Sequence, residues 1–220
     1  MRRIQVPLAM AALLAAALAA GGEPAHAAAV GAVVGLNRGG ISGDAPPDAE
    51  YSGKTGLIAG AQGEIGIGSD IFLSLQPMFV RRGTGIRLAD SEDNSSEDSL
   101  SVALDYVAVP VVVKFLAAGG RTYVAGGLDV AFLTAATLSG RGPEEDVKDS
   151  FQSLDVGALL GVGVVFPIGR PRLTVEARYV MGLVNLADPA ADGSTPNLPD
   201  RFRSTGLQIT AGVLFPLGRP

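Results

Sequence analysis

Past residue 28 one pattern recurs along the whole chain: about ten residues in which bulky apolar side chains alternate with small or polar ones, closed by a connection that is long and short in strict turn. Val30, Ala32, Val34 and Leu36 oppose Gly31, Val33, Gly35 and Asn37. Leu57, Ala59, Ala61, Ile65 and Ile67 oppose Thr55, Gly60, Gln62, Glu64 and Gly66, and Ile71, Leu73, Leu75 and Phe79 oppose Ser74 and Gln76. A period of two is the mark of a strand with two unlike faces. Each run is long enough to cross a bilayer at a tilt.

A fourth run begins with Leu100, Val102 and Leu104 on one face and ends with Val107, Val109, Val111, Val113 and Phe115 on the other. The slip of phase predicts a bulge near Asp105. Four further runs carry Val124, Leu128, Val130 and Phe132; Leu154, Val156, Ala158, Leu160, Val162 and Val164; Leu173, Val175, Ala177, Tyr179 and Met181; and Leu207, Ile209, Ala211, Val213 and Phe215. Opposite them lie Tyr123, Asp129, Asp155, Gly157, Gly161, Gly163, Thr174, Glu176, Arg178, Gln208, Thr210 and Gly212. Bulky residues on one face and small or polar ones on the other suit a narrow barrel turned inside out relative to a soluble one.

The connections span residues 38–54, 68–70, 81–98, 117–120, 135–149, 167–170 and 184–203, so long and short alternate without exception. In an up-and-down barrel this puts every long loop at one end and every short turn at the other. The fold expected is all-β: an eight-stranded antiparallel up-and-down transmembrane barrel with short periplasmic turns and long extracellular loops. Phe72, Phe115, Phe166 and Phe215 fall near the short-turn end, and Phe79, Tyr106, Phe132, Phe151 and Phe202 near the other, approximating two interfacial girdles. The mean hydropathy of +0.33 is then spread over strands, because beyond the amino terminus no run of about twenty apolar residues could span as a helix.

That terminus reads as an export signal. Arg2 and Arg3 precede an apolar stretch over residues 6–20, and Ala25-His26-Ala27 offers small residues at a cleavage point. Residues 1–27 are therefore expected to be a cleaved secretory signal peptide and residues 28–220 the barrel domain. Cleavage removes the only histidine, and the chain has no cysteine. Ser-His and Cys-His nucleophilic centres, His-ligated zinc and His-ligated haem are excluded from such a mature chain. No cofactor and no resident metal are expected, and a net charge of −5 argues against nucleic acid.

If Glu64, Lys114, Asp129, Glu176 and Arg178 all face the interior, they bring opposite charges into a poorly hydrated space where an unpaired ion costs several kcal/mol. They are expected to pair as an electrostatic plug, with a proton or ion path as the functional alternative. Most carboxylates fall in the long connections, notably Asp90, Glu92, Asp93, Glu97 and Asp98, and then Glu144, Glu145 and Asp146. Such loops could take calcium or bridge to lipopolysaccharide phosphates through a divalent ion. Neither has the order of an EF-hand loop, so a solvated surface is the plainer reading. The glycine pairs lack the strand-turn-helix context and the lysine of a phosphate loop, and packing in a barrel wall accounts for them.

The segment LDYVAVPVVVKF, residues 104–115, resembles the central strand motif of the PorT-like outer membrane β-barrel domain family. TYVAGGLDVAFL, DVGALLGVGVVF and LTVEARYVMGLVNL resemble that family's following strands in order. The resemblance covers nearly the whole mature chain and implies an eight-stranded barrel in the outer membrane of a Gram-negative-type cell, often without an assigned biochemical role. Two positions depart from it: Ala108 stands where an acidic residue is common, and the chain runs past Phe215 into Pro216-Leu217-Gly218-Arg219-Pro220 instead of finishing on an aromatic. The function expected is non-enzymatic, an envelope-structural or surface-interaction role, with outer membrane lipid, lipopolysaccharide and the outer membrane assembly machinery as partners of a monomer. The alternatives are a narrow channel or transporter, a soluble periplasmic ligand-binding barrel, and a lipid-modifying or proteolytic barrel using carboxylates alone.

Overall fold

A computed structural model of the chain describes residues 28–42, 49–88, 99–117, 119–140, 144–148, 152–184 and 203–217. The expected signal peptide, the acidic stretch 90–98, Phe151, Phe202 and the last three residues lie outside the described residues. Alternation becomes strand throughout: β1 (Ala29–Ser42), β2 (Ala49–Gly66), β3 (Ile71–Leu75), β4 (Met78–Leu88), β5 (Ser99–Leu116), β6 (Thr122–Ser139), the two-residue β7 (Glu145–Asp146), β8 (Leu154–Pro167), β9 (Arg172–Gly182) and β10 (Arg203–Pro216).

Every pairing is antiparallel, and each main strand pairs with its neighbours in chain order until β10 returns to β1 over fourteen residue pairs, from Ala29↔Pro216 to Ser42↔Arg203. The amide of Leu217 donates to the carbonyl of Ala28 at 2.8 Å and carries this seam one step further. β3 and β4 make a single stave, since both lie between β2 and β5. Pro77, which has no N–H to give, interrupts that stave, and the ladder is kept by Gln76 donating to Pro110 at 3.0 Å and Ala61 to Pro77 at 2.9 Å. Eight staves therefore close into a ring with no free edge. Closure is what hydrocarbon demands, because an unpaired backbone group there costs several kcal/mol.

The faces divide as the alternation predicts. Outward lie Val34, Leu36, Leu57, Leu160, Val162, Tyr179, Ile209 and Phe215, with Leu160 71% and Leu57 65% exposed. Inward, the upper part of β1, β2, β4, β5 and β6 holds an apolar cluster including Ile58, Met78, Val80, Leu104, Tyr106 and Leu133. Gly119 and Gly120, at φ 98° and 66°, turn the chain between β5 and β6 in a conformation that a side chain would resist.

The structure places the bulge expected near Asp105 at that register and corrects four other sequence expectations. β5 keeps one phase throughout, with Val102, Leu104, Tyr106, Ala108, Val112 and Lys114 all buried. The bulge sits across from Asp105 on β6, where Asp105 pairs with Ala135 and Tyr106 with Leu133, leaving Thr134 as the extra residue. Its hydroxyl donates to the Asp105 carbonyl at 2.8 Å. What looked like a slip in β5 is the outer face turning apolar from Val107 to Phe115, while the inner face runs on through Ala108 and Val112 to Lys114. Thr55 points outward and is exposed, on the face of Leu57. Phe72 shares the inner face with its partner Lys114 instead of joining the lower girdle, and Tyr106 is wholly buried in the interior instead of joining the upper one. The other described girdle aromatics, Phe79, Phe115, Phe132, Phe166 and Phe215, are exposed on the outer face. The strands also run further than the alternation suggested, so β4 reaches Leu88 and takes up part of the second long connection.

Candidate functional site: a paired-charge interior

The polar half of the lining brings together side chains from nearly every stave. Nearest the short turns, Lys114 of β5 reaches Glu64 of β2 at 3.1 Å and lies 4.0 Å from Glu176 of β9. Arg172, at the start of β9, holds the other oxygen of Glu64 at 3.1 Å and lies over the Phe72 ring, 5.8 Å from its centre. Tyr123 of β6 donates its hydroxyl to Glu176 at 2.8 Å, and its ring carries Lys114 5.0 Å from the centre. The ring fits because Gly163 faces it: a Cβ at that position would come within 2.3 Å of the Tyr123 Cζ.

Arg178 continues the same web upward. It lies 3.6 Å from Glu176 and donates to Gln208 and Gln76, both at 2.6 Å, while Gln76 donates onward to Ser74 at 3.1 Å. With 2% exposure, this guanidinium depends on those amide oxygens in place of water. Three cations, Lys114, Arg172 and Arg178, thus share two carboxylates.

Above them the ratio inverts. Arg82 of β4 bonds Asp129 of β6 at 2.5 Å and Asp155 of β8 at 2.6 Å, and Ser204 of β10 donates to the same Asp155 oxygen at 2.7 Å. The guanidinium also packs 5.0 Å from the centre of the Tyr106 ring. One cation here holds two carboxylates. Taken together the described interior has four cations and four carboxylates, and attraction between Arg178 and Asp129 links the two groups.

Of the five residues singled out from sequence, Glu64, Lys114, Glu176 and Arg178 meet in the lower web, whereas Asp129 pairs with Arg82 in the upper group. Arg82, Arg172 and Asp155 were missed as members of the network, although Asp155 was read as facing inward. Arg82 fell in a stretch read as loop, although it continues the inward phase of Met78 and Val80, and that phase was the signal that could have found it. Arg172 stands one residue before the run that was read as a strand.

Among the described residues, interior space is scarce. A cavity of about 20 Å³, room for a single water, lies beside Arg82, Tyr106 and Ser204, and one of about 10 Å³ beside Glu64, Lys114 and Arg172. A larger concavity of about 620 Å³ is lined by Phe115, Val124, Val162, Val175 and Ala177 of the outer face, together with Tyr123 and Gly163, and by no charged side chain. Among the described residues no cluster of three or more histidine, cysteine, aspartate or glutamate side chains could hold a metal ion.

A family model described as an outer membrane protein beta-barrel domain matches residues 18–188. No curated protein matches the sequence. Among solved structures, the outer membrane protein OprG from Pseudomonas aeruginosa is similar at 11% identity and a TM-score of 0.51, over 90% of this chain and 99% of that one. Neisserial surface protein A is similar at 14% identity and 0.48, over 87% and 99% of the two chains. The attachment invasion locus protein Ail of Yersinia pestis, solved with the heparin analogue sucrose octasulfate, is similar at 13% and 0.45, over 86% and 99%. At these identities the likeness is one of fold.

Proposed function

The chain belongs to the outer membrane protein β-barrel domain family, and from that premise we propose that it is a non-enzymatic, monomeric barrel of the bacterial outer membrane, closed to solutes and serving the envelope through its surface. The carrying observation is the pairing inside a sealed ring: four buried or half-buried cations meet four carboxylates in a lining whose described cavities hold about one water each. An interior of eight staves is about filled by side chains, and here the filling is ionic, which suits a plug better than a path. The apolar outer wall favours lipid over a periplasmic solution. With no free edge the ring has no strand to offer a second copy, which supports a monomer.

Within this reading the chain is of the PorT-like type by its strand motifs, residues 1–27 direct export and are removed, the assembly machinery inserts the domain, and the long connections face outward. Their exposed acidic residues Glu144, Glu145 and Asp146 belong to the surface that meets partners. The test is to refold residues 28–220 in detergent, compare gel mobility before and after boiling, and record conductance in planar bilayers. The proposal expects a boiling-dependent shift and a silent membrane. Steady unitary conductance would establish the channel alternative, and a chain that folds and stays in solution without detergent would establish the soluble one.

A further inference from the structure

We propose that the outer wall of β1, β2 and β4, where basic side chains stand directly above the apolar belt, is a docking surface for a phosphorylated glycolipid of the outer leaflet. The inference rests on the membrane reading above and adds a specific ligand class to it.

On β1 the outward residues run Ala32, Val34, Leu36 and then Arg38, so hydrocarbon gives way to a guanidinium in one step. Arg38 is exposed and faces Thr55 on β2 and Leu207 on β10. On the far side of β2, Arg81 of β4 abuts Gly56, whose added Cβ would meet the Arg81 carbonyl oxygen at 2.0 Å. Arg38 and Arg81 therefore flank β2 at nearly one height, about 10 Å apart for strands spaced about 4.8 Å. Lys54 lies exposed at the same level, its ammonium on the Ser101 hydroxyl. Arg203, exposed on β10, extends the basic sector.

Against these four cations, Asp105 is the carboxylate among the described side chains of this wall, and it forks onto Arg81 at 2.7 and 2.9 Å. The other side of the barrel differs: among the described residues at the top of β6 and β7, Glu144, Glu145 and Asp146 are exposed, with Lys148 half-buried beside them. A basic sector facing an acidic one is a surface with a direction. Two features select a lipid over a soluble polyanion. Leu36, Leu57 and Phe79 lie exposed just beneath the cations, and a soluble anion would leave them uncovered. Arginine and lysine at this height also keep their charges at the headgroup layer while their stems lie along hydrocarbon. Phosphate above and several acyl chains below complement both features at once.

The test inserts the protein into phosphatidylcholine vesicles containing a bis-phosphorylated glycolipid or its dephosphorylated form, extracts it in mild detergent, and counts glycolipid per protein by mass spectrometry. The wild type is expected to retain only the phosphorylated form. The double variant Arg38→Gln, Lys54→Gln, which leaves the Arg81–Asp105 pair in place, is expected to lose retention by about fivefold per cation removed. Arg121→Gln, at the short-turn end, should retain as the wild type does. Equal retention by the double variant, equal retention of both lipid forms, or displacement by inorganic phosphate would overturn the proposal. A protein that inserts, shifts on boiling and yet retains no glycolipid sinks this inference alone, whereas one that does not insert sinks the membrane reading beneath it.

Discussion

The two ends of the barrel interior solve one problem in different ways. The lower web spreads three cations over two carboxylates, with Tyr123, Gln76 and Gln208 taking the remaining bonds, so most members have more than one partner. The upper group hangs from the bonds of Arg82, since Asp129 and Asp155 both bond it; beyond it Asp155 has Ser204 and Asp129 has only the attraction of Arg178. Redundancy makes the lower web tolerant. Its absence makes Arg82 the single point on which the upper half turns.

The largest effect is therefore expected from Arg82→Leu, which leaves two carboxylates buried without a cation and should lower stability by about 3–5 kcal/mol. Urea titration of the vesicle-inserted protein, scored by boiling-dependent mobility, measures this. Adding Asp129→Asn and Asp155→Asn to that variant should restore most of the loss, because no buried charge then remains above Arg178. A triple variant as weak as the single one would mean that Arg82 acts through packing on Tyr106 instead.

Lys114→Met is the matching cut below. Glu64 keeps Arg172, and Glu176 keeps the Tyr123 hydroxyl and Arg178, so the same titration should fall by about 1–3 kcal/mol, less than for Arg82→Leu. A larger fall than at Arg82 would reverse the comparison. Gly163→Ala tests the seat of the Tyr123 ring: overpacking there should cost about 1–2 kcal/mol and leave the upper group unchanged. The smallest effect belongs to Asp105→Asn on the outer wall, where the Arg81 partner is more than half exposed and the change should stay within about 1 kcal/mol.

Much of this division was legible because period two fixes which way each side chain points. Glu64, Lys114, Asp129, Glu176 and Arg178 stand in phase with Gly and Ala on strands whose other face is bulky. Partners were harder to read. Arg82 bonds residues 47 and 73 positions away, and those meetings follow from how eight staves close, which no local pattern encodes. Strand ends were equally hidden, since β4 continues to Leu88 by pairing with its neighbours through a stretch whose own residues read as loop. Phe72 was misplaced for a related reason: aromatic character marked it for an interface, but its phase put it beside Lys114.

Because the chain has no cysteine, single cysteines carrying a spin label can be placed one at a time. Labels at Leu160, Val162, Tyr179 and Ile209, all exposed on the outer face, compared in vesicles with a label at the interior Ala125, test the central claim most directly. The account predicts relaxation of the four outer labels by oxygen dissolved in the bilayer and not by a water-soluble nickel chelate, with the interior label reached by neither. Nickel access at the outer sites would contradict a lipid-facing wall, and nickel access at residue 125 would contradict a sealed, ion-paired interior.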